Sequence, residues 1–390
     1  MSEMTPRERV NRSLAHQEPD RVPLDVGGGQ STTLVEEAYE SLTRYLGITA
    51  PRVPLNRVLR LVRLDEETAV RLGSDVRPLT LALGLTGPPL PGQSEGPTFT
   101  DELGVTWRQV PFEGGYYWGQ ATYPLAEATI DDLDVYPWPD PEDPSRYAGL
   151  REEVERLYFG TSYALMGDPG YKGFWEPTFM LLGFERALMA LVVEPEFVEA
   201  LMEKLFTIVS IVTRRFLEIA GPYLSVIRTA DDVATQESLL MSPDTYRSVI
   251  KPFHQRYFTL IKQYTDARIF YHTDGNVVPL LDDLIDAGVE VLNPLQVSAI
   301  NDPAAVKDTF GDRLSFWGGI DTQWVLPSGS PDDVREEVKL RIEQLGQGGG
   351  YVAAPVHNIQ ADVPAENVMA MCEAVRTFGA YGHAASSKSR

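Results

Sequence analysis

The sequence predicts an α/β chain built as one (β/α)8 barrel of the TIM type over residues 1–382, with an insertion around residues 82–150. Three observations predict it. Short β-branched or aromatic runs alternate with longer amphipathic stretches, the pattern of repeated βα units around a parallel sheet. Eight such runs can be read, at residues 22–25, 75–81, 162–168, 223–229, 268–272, 289–293, 314–318 and 351–356. Run after run ends in a polar residue followed by Gly, Pro or another turn former. A length of 390 residues exceeds one average domain, but barrels of this kind pass about 250 residues as a single unit.

Taken in order, Thr5 caps a first helix, with Pro6 at its first position and Glu8 at capping-box spacing. The first strand ends in Asp25 before the glycines 27–29, and residues 31–46 read as helix. Residues 82–150 break the βα rhythm. They are rich in Gly and Pro, hold two extended stretches at 104–111 and 116–124, and end in the linker YPWPDPEDP. An insertion carrying a hairpin is expected there. On a βα loop it either covers the site or forms a plain surface flap.

The third strand ends in Asp168, and the long amphipathic stretch 195–220 is stopped by Gly221 and Pro222. The fourth strand runs into Asp231 and Asp232, with Gln236 close behind. Ser242 and Pro243 open another helix, as Ser330 and Pro331 open the one that ends near Gly346. The remaining strands lead to His272, Asp274 and Asn276, to Asn293 and Gln296, to Asp321, and to His357 and Asn358. Residues 364–378 close the chain as helix, and the small polar residues 383–390 are expected to be disordered.

Composition narrows the function classes. The net charge of −22 repels nucleic acid and anionic membrane surfaces. The single cysteine, Cys372, rules out an intramolecular disulfide and suits a reducing cytoplasm. The sequence shows no apolar signal core and no run approaching the roughly 20 apolar residues of a membrane span. The glycine runs 27–29 and 348–350 fit neither the dinucleotide nor the P-loop pattern and read as turns.

Chemistry is sought at the strand ends, because an isolated Asp or Asn there is a common turn or helix cap, whereas seven polar ends on one barrel rim form a site. In a strand, His272 and Asp274 point the same way. They can serve as metal ligands, as a general base with its orienting acid, or as ordinary turn residues. His357 ends the last strand and can converge on the same point. Two His and one carboxylate suit zinc with an open position, or iron(II) in a facial triad. His16, His254 and His383 are read as bystanders. Asp231 and Asp232 supply one candidate catalytic carboxylate or a pair of caps. Tyr116, Tyr117, Trp118, Trp175 and Trp324 can wall an apolar pocket or belong to the core. Tyr116, Trp175, Gln236, Asn293 and Gln296 are the candidate substrate-binding residues.

The segments TPRERVNRSLAHQEPDRVPLD, DDVATQESLLMSPDTYRSVIKP, YHTDGNVVPLLDDLIDAGVEVLNPLQ, FWGGID and GGGYVAAPVHNIQADVPAENV resemble the uroporphyrinogen decarboxylase superfamily over most of the chain outside the insertion. The resemblance implies a distorted (β/α)8 barrel and one of two activities. The haem-pathway decarboxylase needs no cofactor and holds its polycarboxylate with arginines just after the first strand. Here that stretch is LDVGGGQST, without Arg or Lys. Asp75, in LGSDVR, matches the acidic residue that the decarboxylase places over the pyrroles. The zinc methyltransferases work with corrinoid proteins and carry H-x-C and a distant Cys. His272 matches the His, while Asp274 and His357 stand where the two Cys would be. Losing the thiolates makes a bound ion a harder Lewis acid, suited to oxygen rather than thiol substrates.

The leading expectation is therefore a metal-dependent methyltransferase that demethylates a small methoxylated or methylated substrate to a corrinoid or folate acceptor. The metal ligands would be His272, Asp274 and His357, and a corrinoid protein and a second copy of the chain are the expected macromolecular partners. The second is a decarboxylase or other lyase acting on a small carboxylic acid or a tetrapyrrole, with Asp75 or Asp274 as acid/base group. The third is a non-catalytic ligand-binding barrel.

Overall fold

A computed structural model describes residues 3–81, 96–112, 115–171 and 173–381. Seven parallel strands form one sheet: β1 (Val76–Thr80), β2 (Ala164–Asp168), β3 (Val226–Ala230), β4 (Arg268–His272), β5 (Val291–Asn293), β6 (Ser315–Ile320) and β7 (Tyr351–Pro355). They neighbour one another in chain order, from β1 to β7. The extended segment 22–25 closes the ring. The Asp25 amide donates to the Ala353 carbonyl (2.9 Å), and the Asp75 amide donates to the Leu24 carbonyl (2.8 Å). The segment thus joins β7 to β1 as the eighth stave. Pro23 has no N–H to donate, so this stave is held by single bridges rather than a ladder.

Alternate residues on a strand face the barrel axis. Val76, Met166, Val226, Phe270, Val291, Trp317, Val352 and Ala354 form a core of their own with Val10 and Leu14. Those last two belong to α1 (Pro6–Leu14), which plugs the N-terminal end of the barrel. Its start follows from the capping box: the Thr5 side chain accepts from the Glu8 amide, and Glu8 reaches back to Thr5. A larger apolar cluster fills the space between the outer face of the sheet and the surrounding helices. Two residues further along the same strands the inward positions turn polar. Asp168 follows Met166, Arg228 follows Val226, His272 follows Phe270 and Asn293 follows Val291. The polar rim is this switch, read off four neighbouring strands.

One helix differs from expectation. Residues 31–46 do not form a single helix, which instead runs Glu36–Leu46. Ahead of it, Thr32 donates to Asp25 (2.8 Å) and Thr33 to the Val62 carbonyl (2.7 Å), while Leu34 bridges to Ile359. Short hydroxyl side chains bonded to neighbouring groups give the chain an alternative to the first helical turn.

In the insertion, Thr98–Thr100, Thr106–Phe112 and Gly115–Gln120 form a three-stranded antiparallel sheet. It is tied down at several points. Arg60 donates to the Tyr116 carbonyl (2.9 Å), Gln120 donates to the Met180 carbonyl, and buried Arg146 pairs with Glu102. Glu102 also accepts from Tyr171 (2.8 Å) on the β2 side of the barrel. Residues 82–95 of the insertion and the polar tail 383–390 lie outside the described residues. No helix among the described residues is long and apolar enough to cross a membrane.

Candidate functional site

At the C-terminal rim the structure brings one ligand atom each from His272, Asp274 and His357 within 4.8 Å of one another. His272 closes β4 and His357 follows β7, so the two rings reach the mouth from different sides, with centroids 5.9 Å apart. Asp274 Oδ2 lies 3.9 Å from His272 Nε2 and 3.7 Å from His357 Nε2. Asp274 is aimed by the turn that follows β4. Gly275 takes φ 91° there, and a Cβ at this position would sit 2.3 Å from the Thr235 carbonyl oxygen. Any other residue would push the turn outward.

The neighbours of the trio fix its chemistry. Asn293 Nδ2 donates to the Trp317 carbonyl (3.0 Å), so its Oδ1 is the acceptor that meets His272 Nδ1 at 2.7 Å. His272 Nδ1 must then carry the proton, and the Nε2 lone pair points at Asp274 and His357. Burial pushes the His272 imidazole down to about 4, and Asp274 pulls against that shift. It is neutral at pH 7. Asp232 accepts from the Asp274 amide (2.8 Å), and Gln296 accepts from the Gly275 amide (2.7 Å).

These residues fit a divalent ion. Nitrogen and oxygen donors about 2.1 Å from a tetrahedral ion lie about 3.4 Å apart. Asp274 is within a few tenths of an ångström of that from each histidine, and the whole set, within 4.8 Å, would draw together around the ion. The set is all nitrogen and oxygen, and the buried imidazole needs no deprotonation to bind.

His357 also lines a cavity of about 500 Å³ between the barrel mouth and the insertion. Trp107, Tyr116 and Trp118 from the insertion form its roof, Phe179 and Met180 one wall, and Gln30, Asn56 and Arg228 its polar floor. The insertion therefore covers the mouth. Phe179 and Met180 belong to α2 (Trp175–Leu182), which follows β2.

Several residues expected in the site sit elsewhere. Asp75 precedes β1 and so lies at the opposite end of the barrel, where its carboxylate accepts from Arg9 (2.7 Å), Arg21 (2.9 Å) and the Leu24 amide (2.8 Å). It is structural there. Asp231 is fully buried, and its oxygens accept from the amides of Phe174 (2.7 Å) and Glu176 (2.8 Å). They also meet His254 Nε2 at 3.0 Å. The carboxylate thus caps α2 and turns away from the cavity. Trp175 is 0% exposed and packs edge-on to Phe179 (5.8 Å), as core. Gln236 is exposed in the surface turn Thr235–Ser238, and Trp324 is 71% exposed beside the Asp321 helix cap. Neither reaches the cavity. Asn293, Gln296 and Asp232 lie at the rim but hold His272, Gly275 and Asp274 rather than the cavity wall. Tyr116, Tyr117 and Trp118 do line it.

Arg228, Gln30, Glu176 and Tyr171 line the cavity and are not among the residues the sequence singled out. Arg228 had a readable signal, a charge inside the otherwise apolar strand VIRTA on the same face as Val226. The other three lie in loops or at a helix start, where no period marks an inward face.

A sequence model described as uroporphyrinogen decarboxylase (URO-D) matches residues 124–378. The chain belongs to the uroporphyrinogen decarboxylase family. Within that family it is similar to proteins of two kinds. A methylcobamide:CoM methyltransferase MtaA of Methanosarcina barkeri is 34% identical over 149 residues, 38% of this chain and 40% of that protein. The chain therefore matches well under half the length of that relative. A uroporphyrinogen decarboxylase of Methylococcus capsulatus is 24% identical over 381 residues, 95% of this chain and 98% of that protein. Among solved structures, a methyltransferase from Methanosarcina mazei aligns with a TM-score of 0.65 at 20% identity, covering 96% of this chain and 99% of its own. At that identity the likeness shows a shared fold. The family, the parallel curled sheet and the TIM-type barrel agree with one another.

Proposed function

We propose that this family member is a metal-dependent methyltransferase acting on a small methylated or methoxylated substrate, with a corrinoid on a partner protein, or a folate, as methyl acceptor. The observation that carries the proposal is the convergence of His272, Asp274 and His357 within 4.8 Å beside a largely apolar cavity. These three residues would hold a divalent ion; zinc suits them best and iron(II) also fits. When bound, the ion supplies Lewis acidity toward an oxygen-bearing group. The rest is the work of the chain. Asn293 keeps the His272 lone pair turned inward, Asp232 fixes the Asp274 backbone, and the aromatic roof holds an apolar substrate body and excludes water from the mouth. The local similarity to MtaA supports the methyl-transfer reading, and the exchange of thiolate for Asp and His ligands argues against a thiol acceptor. The lone buried Cys372 suits a cytoplasmic setting.

The test is metal analysis of protein purified without chelator, alongside His357→Ala, followed by methyl transfer from methoxylated candidates to free cob(I)alamin. Stoichiometric metal in the wild type, lost in the variant, is expected. Wild type that neither retains nor takes up zinc overturns the metal assignment. A second reading is decarboxylation of a small acid with Asp274 as acid/base group. The near-full-length similarity to a uroporphyrinogen decarboxylase favours it. Release of carbon dioxide by metal-stripped protein, abolished in Asp274→Asn, would select it over methyl transfer.

A further inference from the structure

The cavity floor holds a cation whose hydrogen bonds are incomplete. Arg228, on the inward face of β3, is 5% exposed and lines the same cavity as His357. A guanidinium offers five N–H donors. Among the described residues Arg228 uses two: Nε donates to Ser31 Oγ (3.2 Å), and Nη1 lies 3.4 Å from Asp168 Oδ2. The latter is long for a charge-assisted bond, which usually measures about 2.7–2.9 Å. Asp168 gives its better geometry to other donors, the Gly170 amide (2.8 Å) and Gln30 Nε2 (2.9 Å).

Other arginines are held differently. Arg9 meets Asp20 and Asp75 at 2.7 Å each. Arg60, half-buried and the other arginine among the described residues of the cavity wall, meets Glu37 at 2.6 Å and Glu36 at 3.0 Å. Were Arg228 only the counter-ion of Asp168, it would be expected to close on it in the same way. It leaves both Nη2 N–H groups, and one on Nη1, without a protein acceptor among the described residues.

We propose that Arg228 is the anion subsite of this cavity and binds the carboxylate of a small, apolar-bodied monocarboxylic acid. A planar carboxylate matches the spare edge of the guanidinium. The roof of Trp107, Tyr116 and Trp118 suits an apolar or ring-shaped body. The described lining favours a single charge. Arg60 is already paired, and Asp101 and Glu176 in the same wall repel a second negative group. The register sets the reach. Ala230 pairs with His272, and Arg228 pairs with Phe270, one pleat deeper in the barrel. A ligand anchored at Arg228 therefore extends outward toward His272, Asp274 and His357. This assignment rests on reading the cavity as the substrate site, not on a metal being bound.

The test is isothermal titration of metal-stripped full-length protein with benzoate and 2-naphthoate, each against its neutral amide. Each acid is expected to bind at least 10-fold more tightly than its amide, and Arg228→Gln is expected to erase the difference. Equal affinity for acid and amide, unchanged binding in Arg228→Gln, or no saturable binding of either acid to the wild type overturns the subsite. The wild-type comparison decides alone if the variant does not fold. Repeating the titration on His357→Ala separates the two proposals. Acid binding that survives there while no metal is retained leaves the subsite standing, and metal retained without acid binding removes only the subsite.

Discussion

The two ends of this barrel treat buried charge in opposite ways. At the N-terminal end, Asp75 collects four donor contacts, from Arg9, from two nitrogens of Arg21 and from the Leu24 amide, all at 2.7–3.0 Å. At the mouth, His272, Asp274 and His357 approach no closer than 3.7 Å, and Arg228 keeps spare donors. The first end is satisfied by its own protein, so its charges hold α1 and segment 22–25 in place. The second turns the His272 Nε2 lone pair, the Asp274 carboxylate and the spare N–H groups of Arg228 toward a common space. Satisfaction, not mere burial or charge, separates the structural acid from the candidate functional ones.

The sharpest way to break this comparison is at the closed end. Asp75→Asn leaves Arg9 buried without its full partner set and is expected to cost about 3–5 kcal/mol. Zinc and benzoate affinities of the surviving folded fraction should stay within about 2-fold of wild type. Urea denaturation and titration of one preparation check both. A variant of full stability that binds neither probe would move Asp75 back into the site.

At the mouth, the depressed His272 pKa has a stability consequence. The unfolded chain takes up a proton at about 6.5, but the folded imidazole only at about 4, so between these values the unfolded state binds more protons. The stabilisation is complete above 6.5 and is lost as pH falls to 4, by about 3 kcal/mol in metal-free protein. His272→Gln should flatten that slope. Parallel pH profiles for the two proteins would show that the ring is not protected as described.

Asn293 offers a smaller effect. Asn293→Ala frees the His272 tautomer and should weaken zinc binding by about 10–100-fold, read by competition with a chromophoric chelator. Unaltered affinity would mean that the hydrogen bond orients nothing. Smallest of all, Gln236→Ala should change neither stability, beyond about 0.5 kcal/mol, nor the affinity for zinc or benzoate. A loss of benzoate binding there would show that the surface turn folds over the cavity.

The comparison also explains what could be read in advance. Eight staves and the polar rim follow from periodicity, and His272, Asp274 and His357 stand out because reactive residue types end two strands of the one rim. Asp75 entered through the family resemblance, although the strand read at residues 75–81 starts with it, and the structure holds it at the closed end against Arg9, Arg21 and the Leu24 amide. Asp231 and Asp232 are neighbours in sequence, yet one caps α2 and the other steadies Asp274. Alternation sends adjacent side chains to opposite sides, but what waits on each side belongs to distant segments.

By itself, then, the sequence determined the barrel, the strand carrying each polar end, and the donor types available at the mouth, because local propensity and alternation are written residue by residue. Tertiary structure alone decided which of those polar groups are already satisfied. The partners that settle the matter are Arg9 and Arg21 for Asp75, His254 and the amides of residues 174 and 176 for Asp231, and Asn293 for His272. The same holds for Arg228, whose spare donors become visible only once Ser31 and Asp168 are placed around it. Each partner is reached through space from another βα unit, and no local rule encodes that distance.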